Sequence, residues 1–317
     1  MPLGEFDLIE RYFSRGSGRR DVLLGVGDDA ALLEVPPGRA LVAAVDTLVE
    51  GRHFLPDAPP GSVGHQALAV NLSDLAAMGA DPAWALLSLS LPESDEAWLQ
   101  SFADGLYALA ERHGVALVGG DTVRGPRVVT VTALGYVEPT HALRRDCARP
   151  GDVLFVSGWP GEAGAGLEAL RSGTVRGDDD PLVRRYRYAE PRLELGRALR
   201  GRARSAMDVS DGLLGDLQKL CKSSAVGARL DLERLPVSAE LARRHSSEQC
   251  ERFMLFGGDD YELLFTVPAD RAAGFDAGAP AGVPVHRIGV IEAGAGVRCE
   301  RDGRVVDLRG GGYDHFA

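Results

Sequence analysis

A chain of 317 residues exceeds the size of one typical domain, and we predict about two domains. Hydrophobic residues make up 45% of the chain and charged residues 26%, which excludes a disordered or membrane-embedded protein. The formal net charge of −11, with no run of basic residues, argues against nucleic acid as a partner.

The lysine and cysteine content limits the kinds of phosphate-binding and metal-binding sites that the chain can form. Lys219 and Lys222 are the only lysines and no GxxxxGK[ST] loop occurs, so a phosphorylated ligand would need metal ions to invert the local field. The four cysteines lack a CxxC or Cys/His ligand pattern, which predicts reduced structural thiols. No signal segment or apolar run near 20 residues occurs, so we predict a cytoplasmic protein without a membrane partner.

The first part of the chain mixes helical and strand patterns. We predict helices at 5–14, 63–78 and 95–113, and strands at 40–46, 83–91, 115–119 and 128–137. The helix at 63–78 is apolar on nearly every face, yet it carries Asn71 and Asp74 one turn apart. A buried carboxylate needs a partner, and this helix alone leaves a polar network as open as a metal site.

A polar stretch from Pro139 to Gly151 marks the predicted boundary between domains 1–139 and 140–317. In the second domain we predict helices at 165–172, 191–200 and 211–223, and strands at 152–158, 226–232, 261–267, 285–291 and 297–307. The helix at 211–223 is expected to use Ser210 or Asp211 as its N-cap. The pattern predicts an α/β (α+β) fold with two domains.

Aspartates recur in or beside small-residue turns along the whole chain. The turns contain Asp28 and Asp29, Asp46, Asp74, Asp121, Asp208 and Asp211, and Asp259 and Asp260. One such turn is ordinary, because glycine and aspartate are common turn residues. Carboxylates gathered in one place repel unless a cation joins them, so six copies predict a carboxylate cage for Mg²⁺.

A set of strings in chain order resembles the thiamine-monophosphate kinases, a family in the aminoimidazole ribonucleotide synthetase superfamily. The strings are GEFDLI, GVGDDAALL, VDTLVEGRHF, ALAVNLSDLAAMGADP, GGDT, DVSDGL, GGDDYEL and GYDHF, and they cover essentially the whole chain. The resemblance implies ATP-dependent phosphorylation of thiamine monophosphate to thiamine diphosphate, the final step in making that cofactor. It also implies an N-terminal domain that binds ATP and Mg²⁺ and pairs its strands across a homodimer. The implied C-terminal domain closes the active-site cleft, and several Mg²⁺ ions are implied.

The resemblance also implies roles for single residues. The implied metal ligands are Asp29, Asp46, Asp74, Asp121, Asp208 and Asp211, of which Asp29, Asp74, Asp121 and Asp208 are the implied catalytic carboxylates. The implied ATP contacts are Gly120, Asp121, Arg145 and Ser210. The implied contacts to thiamine monophosphate are His53, Asp259 and Tyr313.

The chain departs from the family pattern at two places. Ala44 and Val45 stand where the family often has Ser or Thr before Asp46, so a metal contact by Val45 must use its main-chain carbonyl or be lost. Asp259 stands where the family has Glu, one methylene longer, so its substrate contact is expected to run through water.

Two alternative functions remain open from the sequence. One is another enzyme of the superfamily, such as a purine-pathway cyclo-ligase, a selenophosphate synthetase or a hydrogenase-maturation protein. Selenophosphate synthetase is disfavoured, because the earliest cysteine is Cys147. The other is a non-enzymatic protein that binds divalent ions, although no EF-hand spacing is present.

Overall fold

The computed structural model describes residues 4–16, 18–175, 177–276 and 280–308. The chain divides into two compact units. The N-terminal unit comprises Met1–Leu75 and Ala80–Thr140, and the C-terminal unit comprises Ala76–Gly79 and His141–Ala317. None of the helices in the described ranges combines the length and apolar character that crossing a membrane requires.

The first 141 residues form the following elements. The helices are α1 (Glu5–Leu8), a π-helical turn (Ile9–Phe13), α2 (Pro60–Ala77), α3 (Glu96–His113) and a 3-10 turn (Pro139–His141). The strands are β1 (Val22–Leu24), β2 (Leu32–Leu33), β3 (Ala40–Val49), β4 (Asp81–Leu91), β5 (Ala116–Arg124) and β6 (Val128–Val137).

Among the described strands of the N-terminal unit, β3, β6, β4 and β5 form one sheet in that order. The pairs β3–β6 and β6–β4 are antiparallel, and the pair β4–β5 is parallel. Burial alternates along β6, where Val129, Val131 and Ala133 are at most 1% exposed. This alternation follows from the opposite directions of successive side chains in a strand. The small pair β1–β2 covers Trp84, which is fully buried.

Helices α2 and α3 approach each other at glycines. A Cβ on Gly64 would lie 2.0 Å from the carbonyl oxygen of Phe102, and one on Gly105 would lie 1.9 Å from that of Gly61. Only glycine allows such a close approach of two backbones. The approach buries α2 almost completely, as its apolar sequence predicts, and leaves Asp74 half-buried.

The remaining residues form the C-terminal elements. The strands are β7 (Val153–Ser157), β8 (Ser205–Val209), β9 (Gly227–Asp231), β10 (Glu262–Val267), β11 (Val285–Glu292), β12 (Gly296–Arg301) and β13 (Arg304–Val306). The helices are α4 (Glu162–Arg171), α5 (Pro181–Arg187), α6 (Leu193–Leu199), α7 (Leu213–Ser224), α8 (Ala239–Arg244), α9 (Ser247–Phe256) and α10 (Ala273–Asp276). Short 3-10 turns lie at Leu232–Arg234, Ala269–Arg271 and Pro280–Gly282.

In the described part of the C-terminal unit, the strands form a mixed sheet in the order β13-β12-β9-β11-β7-β10-β8. A continuous apolar core includes Val156, Leu217 and Leu264 and packs helices α7 and α9 with this sheet. Strand β10 pairs antiparallel with both β7 and β8, and Glu262 lies opposite Val209. This register brings the chain before β10 next to the chain after β8, which is where two of the Asp motifs lie.

Some expectations about secondary structure were wrong. The strand predicted at 297–307 is the hairpin β12–β13, because Asp302 and Gly303 both have positive φ and form a two-residue turn. Strand β5 continues past the predicted end at residue 119, so Gly120 lies within a strand. Helix α7 has Gly212 as its N-cap without a side-chain cap bond, so neither Ser210 nor Asp211 has the expected role.

Candidate active site

A cavity of about 820 Å³ in the N-terminal unit brings two of the Asp motifs together. The loop Val26–Ala31 lines one part of it and residues Leu117–Thr122 of β5 line another. Phe6, Ile9 and Phe13 contribute apolar lining. The cavity therefore combines an apolar wall with a few polar groups, which is the usual composition of a small-molecule site.

Gly120 shapes the floor of this cavity. Its φ is +150°, and an added Cβ would lie 1.8 Å from the carbonyl oxygen of Leu87 on the neighbouring strand. No other residue fits this position without moving the backbone of β4. The constraint places the next residue, Asp121, on the cavity lining.

The carboxylates of this cavity are exposed to solvent. Asp28 Oδ1 accepts the backbone N–H of Asp29 at 2.8 Å, which fixes the loop locally. Across the described ranges, neither Asp29 nor Asp121 forms an ion pair with a protein cation. Like charges in one pocket repel each other, so an external cation would stabilise this arrangement. The oxygen donors match the preference of Mg²⁺.

Within the described ranges, side chains alone do not complete a metal cage. In the described part of the chain, no three carboxylate, imidazole or thiol side chains lie close enough together to hold an ion. The cage predicted from the sequence is therefore not formed by side chains alone. Mg²⁺ commonly binds through one or two carboxylates and takes its other ligands from phosphates and water, and Asp29 and Asp121 fit that mode.

The other predicted ligands of the N-terminal unit lie elsewhere. Asp46 lies within β3, which continues to Val49, and not at the end of a strand as the sequence suggested. Strands β3 and β5 are separated by two others, so their backbones are roughly 14 Å apart at 4.7–4.9 Å per strand spacing. Asp46 and Asp121 would therefore serve different ions. Val45 is 61% exposed on β3, and Asp74 lies on α2.

His53 lies in the turn that follows β3. Its Nδ1 accepts the backbone N–H of Val49 at 3.0 Å, and its own backbone N–H donates to the Val49 carbonyl. This local bond fixes the ring and leaves Nδ1 engaged as an acceptor. A role toward the substrate would have to use the Nε2 side of the ring.

In the C-terminal unit, the segment 208–212 is held by Asp216, which the sequence-based predictions did not include. Asp208 is 6% exposed and lies within β8. The fully buried carboxylate of Asp216 accepts the backbone N–H groups of Ser210 and Asp211 at 2.9 and 3.0 Å. Burial raises the pKa of Asp216, although nearby Lys219 partly opposes this effect.

Lys219 is the counter-charge of this segment. Its ammonium group binds Asp216 at 2.8 Å and also contacts the carboxylate of Asp211. The sequence contains a signal for this pair, since one of only two lysines lies one helical turn after Asp216. The pair was not predicted, because Ser210 and Asp211 were interpreted as N-cap candidates of α7.

The turn Gly257–Tyr261 lies directly beside this segment. The backbone N–H groups of Asp259 and Tyr261 donate to the carbonyls of Ser210 and Val209 at 2.9 and 2.8 Å. The two Asp motifs of the C-terminal unit are therefore joined by main-chain hydrogen bonds. Tyr261 also donates its hydroxyl to Asp259 Oδ1 at 3.2 Å.

The carboxyl group of Asp259 is only weakly acidic for an aspartate. Removal from water raises its pKa to about 6, the Tyr261 hydrogen bond opposes the rise, and the charge of Asp211 adds to it. Two other residues predicted to contact a ligand are Arg145 and Tyr313. Arg145 is exposed in the loop before β7, and Tyr313 lies outside the described residues.

Comparison with known proteins assigns this fold and site to a class. The model for the N-terminal domain of AIR synthase related protein matches residues 27–137, and the model for the C-terminal domain matches residues 149–302. The chain is thus an AIR synthase related protein with both domains of that class. HypE, a hydrogenase maturation protein, has the same fold at 22% identity and a TM-score of 0.77.

Closer relatives narrow the class. The chain is 49% identical to the thiamine-monophosphate kinase of Escherichia coli (strain K12) over all of this chain and 99% of that protein. The thiamine-monophosphate kinase of Stenotrophomonas maltophilia K279a superposes with a TM-score of 0.87 at 45% identity, covering 96% of this chain and 99% of that one. The complex of AaThiL with AMPPCP and TMP superposes with a TM-score of 0.79 at 33% identity, covering 92% of each chain. The chain belongs to the thiamine-monophosphate kinase family.

Proposed function

We propose that this protein transfers the γ-phosphoryl group of ATP to thiamine monophosphate and releases thiamine diphosphate and ADP. The observation that carries this proposal is the cavity that joins the Asp28–Asp29 loop to Gly120 and Asp121. The 49% identity to a thiamine-monophosphate kinase over the full chain supports the substrate pair. The AaThiL complex contains AMPPCP and TMP, which supports the same pair.

The nucleotide is assigned to the N-terminal unit. Phe6, Ile9 and Phe13 offer apolar surface to a base, and Gly120 allows a ligand to approach the strand backbone closely. The acidic side of the cavity would repel a triphosphate unless cations lie between them. The predicted ATP contacts Arg145 and Ser210 belong to the C-terminal unit and stay separate proposals. Arg145 can bind a phosphate with two parallel hydrogen bonds.

Mg²⁺ is the cation that the donor set fits. Asp29 and Asp121 would hold one ion, and Asp46, Asp74, Asp208 and Asp211 are the proposed ligands of further ions. When bound, Mg²⁺ neutralises phosphate charge and supports phosphoryl transfer. Val45 can contribute only its main-chain carbonyl, because its side chain carries no donor.

The transfer is proposed to be direct and in line. The catalytic carboxylates Asp29, Asp74, Asp121 and Asp208 act by position and charge, and phosphoryl transfer requires little covalent chemistry from a protein. His53 is held by its bond to Val49 and serves as a substrate contact. Incubation with γ-labelled ATP followed by quenching should leave no label on the protein, whereas a stoichiometric phosphoenzyme would contradict direct transfer.

His53, Asp259 and Tyr313 are the proposed contacts to the phosphoryl acceptor, thiamine monophosphate. Asp259 is shorter than the family's Glu, and water is proposed to bridge it to thiamine monophosphate. Tyr313 is proposed to stack its ring on the flat heterocycle. Because the ring would touch only the acceptor, Tyr313→Ala should raise KM for thiamine monophosphate and leave KM for ATP unchanged.

A second copy of this chain is the proposed partner. Among the described strands β3 is an edge of its sheet, and Leu41 and Val45 on it are 53% and 61% exposed. A long edge strand with exposed apolar side chains favours pairing with another chain. Val45→Glu should shift the mass in light scattering from dimer to monomer, and an unchanged mass would exclude this surface.

One assay tests the activity directly. ADP release is measured with ATP and Mg²⁺ in the presence of thiamine monophosphate, thiamine or no acceptor. Turnover only with thiamine monophosphate supports the proposal. Nucleotide binding without turnover would favour another enzyme of the superfamily, and no response to nucleotide would favour an ion-binding protein. The cytoplasm is the proposed location of this activity.

A further inference from the structure

The turn that carries Asp259 has an unfavourable backbone. Asp259 has a φ of +66° and Tyr261 a φ of +51°, and neither residue is glycine. Side chains other than glycine rarely adopt this region, and such residues persist only where the surroundings hold them. The residue between them, Asp260, contacts another part of the C-terminal unit through its side chain.

Asp260 is 1% exposed and binds the start of helix α4. Its Oδ2 accepts the backbone N–H of Gly161 at 2.6 Å, and its Oδ1 accepts that of Ala163 at 3.2 Å. Gly161 is the N-cap residue of α4 and has no side chain to cap the helix itself. The first N–H groups of a helix need acceptors, and here a residue about 100 positions later supplies them.

A buried ionic cluster holds the other side of the turn. Glu262 is fully buried and accepts hydrogen bonds from Arg192 Nε at 2.7 Å, from Arg185 at 2.8 Å and from Ser157 Oγ at 2.6 Å. The same guanidinium nitrogen of Arg185 donates to the main-chain carbonyl of Asp260 at 3.2 Å. The backbone on both sides of Asp259 is therefore fixed. The N–H of Asp259 itself bonds to Ser210, and the carbonyl of the next residue, Asp260, bonds to Arg185 of this cluster.

We propose that Asp260 is a positioning residue for the phosphorylation of thiamine monophosphate, and that it acts by holding Asp259 in the strained turn. This role rests on the proposed function, because it assigns the acceptor to Asp259. Asp260 itself faces the N-terminus of α4 and touches no reacting group. Loss of its two hydrogen bonds would release the turn toward an ordinary backbone conformation and move Asp259.

The test compares Asp260→Asn with wild type in steady-state kinetics. Asparagine keeps one acceptor but turns an amide N–H toward the helix N–H groups, so at least one bond is lost. KM for thiamine monophosphate should rise about tenfold, which corresponds to one or two lost hydrogen bonds, while KM for ATP stays within about twofold. A uniform loss with both substrates, or no change, would overturn the proposal.

A matched control separates positioning from general destabilisation. Asp152 is also a buried carboxylate that accepts a backbone N–H, from Arg149, and pairs with an arginine, Arg204. It lies before β7, at the opposite end of that strand from Gly158. Asp152→Asn should lower Tm at least as much as Asp260→Asn and leave both KM values unchanged.

Two further variants keep the test decisive. Arg185→Lys preserves the positive charge but shortens the side chain, which withdraws the single nitrogen that donates both to Glu262 and to the Asp260 carbonyl. KM for thiamine monophosphate should therefore rise about threefold. Arg185→Lys provides the test of the positioning role if Asp260→Asn fails to fold. The double variant Asp259→Asn/Asp260→Asn should have the same KM as Asp259→Asn alone, since Asp260 acts through Asp259. Additive increases would contradict this relation.

The outcomes distinguish the two proposals. If wild type does not phosphorylate thiamine monophosphate, the proposed function fails. If wild type does so and both Asp260→Asn and Arg185→Lys retain wild-type KM values, the function stands and the positioning role is wrong.

Discussion

The Asp-motif carboxylates of the N-terminal cavity differ from the buried carboxylates of the C-terminal unit in exposure and in their cation partners. In the N-terminal unit, Asp29 and Asp121 are exposed in one cavity, and the described residues provide no cation for either. In the C-terminal unit, Asp216 and Glu262 are fully buried and each has a protein cation and further hydrogen bonds. An external cation would stabilise the first arrangement, whereas the second already contains its own protein cations.

This difference separates two roles for the same residue type. A buried carboxylate with complete partners fixes the backbone, and removing it strands those partners. An exposed carboxylate among like charges contributes little to folding and is available to a ligand. We therefore expect substitutions of the exposed carboxylates to affect turnover and substitutions of the buried carboxylates to affect stability.

The largest effect is expected at Asp121. Asp121→Asn should lower kcat/KM by about 10³-fold, because the proposed metal ligand would be lost, while the Tm without metal stays unchanged. The stabilisation by Mg²⁺ and AMPPCP should shrink at the same time. Glu111→Gln, at an exposed position of α3, is the control for charge alone. A large loss of metal-free stability would place Asp121 with the structural carboxylates.

Asp216→Ala should show the reverse pattern. The change strands the N–H groups of Ser210 and Asp211 and leaves Lys219 without one of its partners. The free energy of unfolding should fall by roughly 3 kcal/mol in urea titrations without metal. Asp104→Ala, which removes an exposed pair with Arg15, should cost less than about 1 kcal/mol. Equal losses in the two variants would remove the distinction between buried and exposed carboxylates.

A smaller effect concerns pH. The folded protein holds a proton on Asp259 up to its pKa of about 6, whereas the unfolded chain releases it near the ordinary value of about 4. The folded state binds more protons in this window, so stability from this group is present below about pH 4 and lost as pH rises to 6. The charged or titratable groups around it are Asp211, Arg171, Tyr186 and Tyr261.

Melting curves in EDTA at several pH values check this expectation. Asp259→Asn should lose less stability than wild type between pH 4 and pH 6, because asparagine does not titrate. Parallel curves for the two proteins would show that the Asp259 carboxyl titrates alike in the folded and unfolded states.

The fold was largely predictable because its elements are local. The alternation in Val128–Val137 gave the strand β6 with its observed bounds, and the apolar run after Val63 gave the buried helix α2. The hairpin β12–β13 was missed although its Asp302-Gly303 turn is a strong local signal. Strand β8 was missed because its sequence, SAMDV, contains a serine and an aspartate and lacks the continuous apolar run that marked β7.

The candidate site was predictable only in part. The Asp motifs marked the residues of the cavity, and the resemblance to a family supplied their roles. The supports of the C-terminal turn were not predictable, because Glu262 meets Arg192 across 70 positions and Asp260 meets Gly161 across 99. Such pairs depend on the sheet order, which no spacing in the sequence encodes.

Metal ligation by Asp121 is the central claim, and a change of metal tests it most directly. In Asp121→Cys, the thiolate replaces the carboxylate and favours Cd²⁺ over Mg²⁺, since soft ligands select soft metals. Turnover of thiamine monophosphate should be at least about tenfold faster with Cd²⁺ than with Mg²⁺ in this variant, whereas wild type should prefer Mg²⁺. An Asp121→Cys enzyme that keeps the wild-type order of metals would contradict the claim.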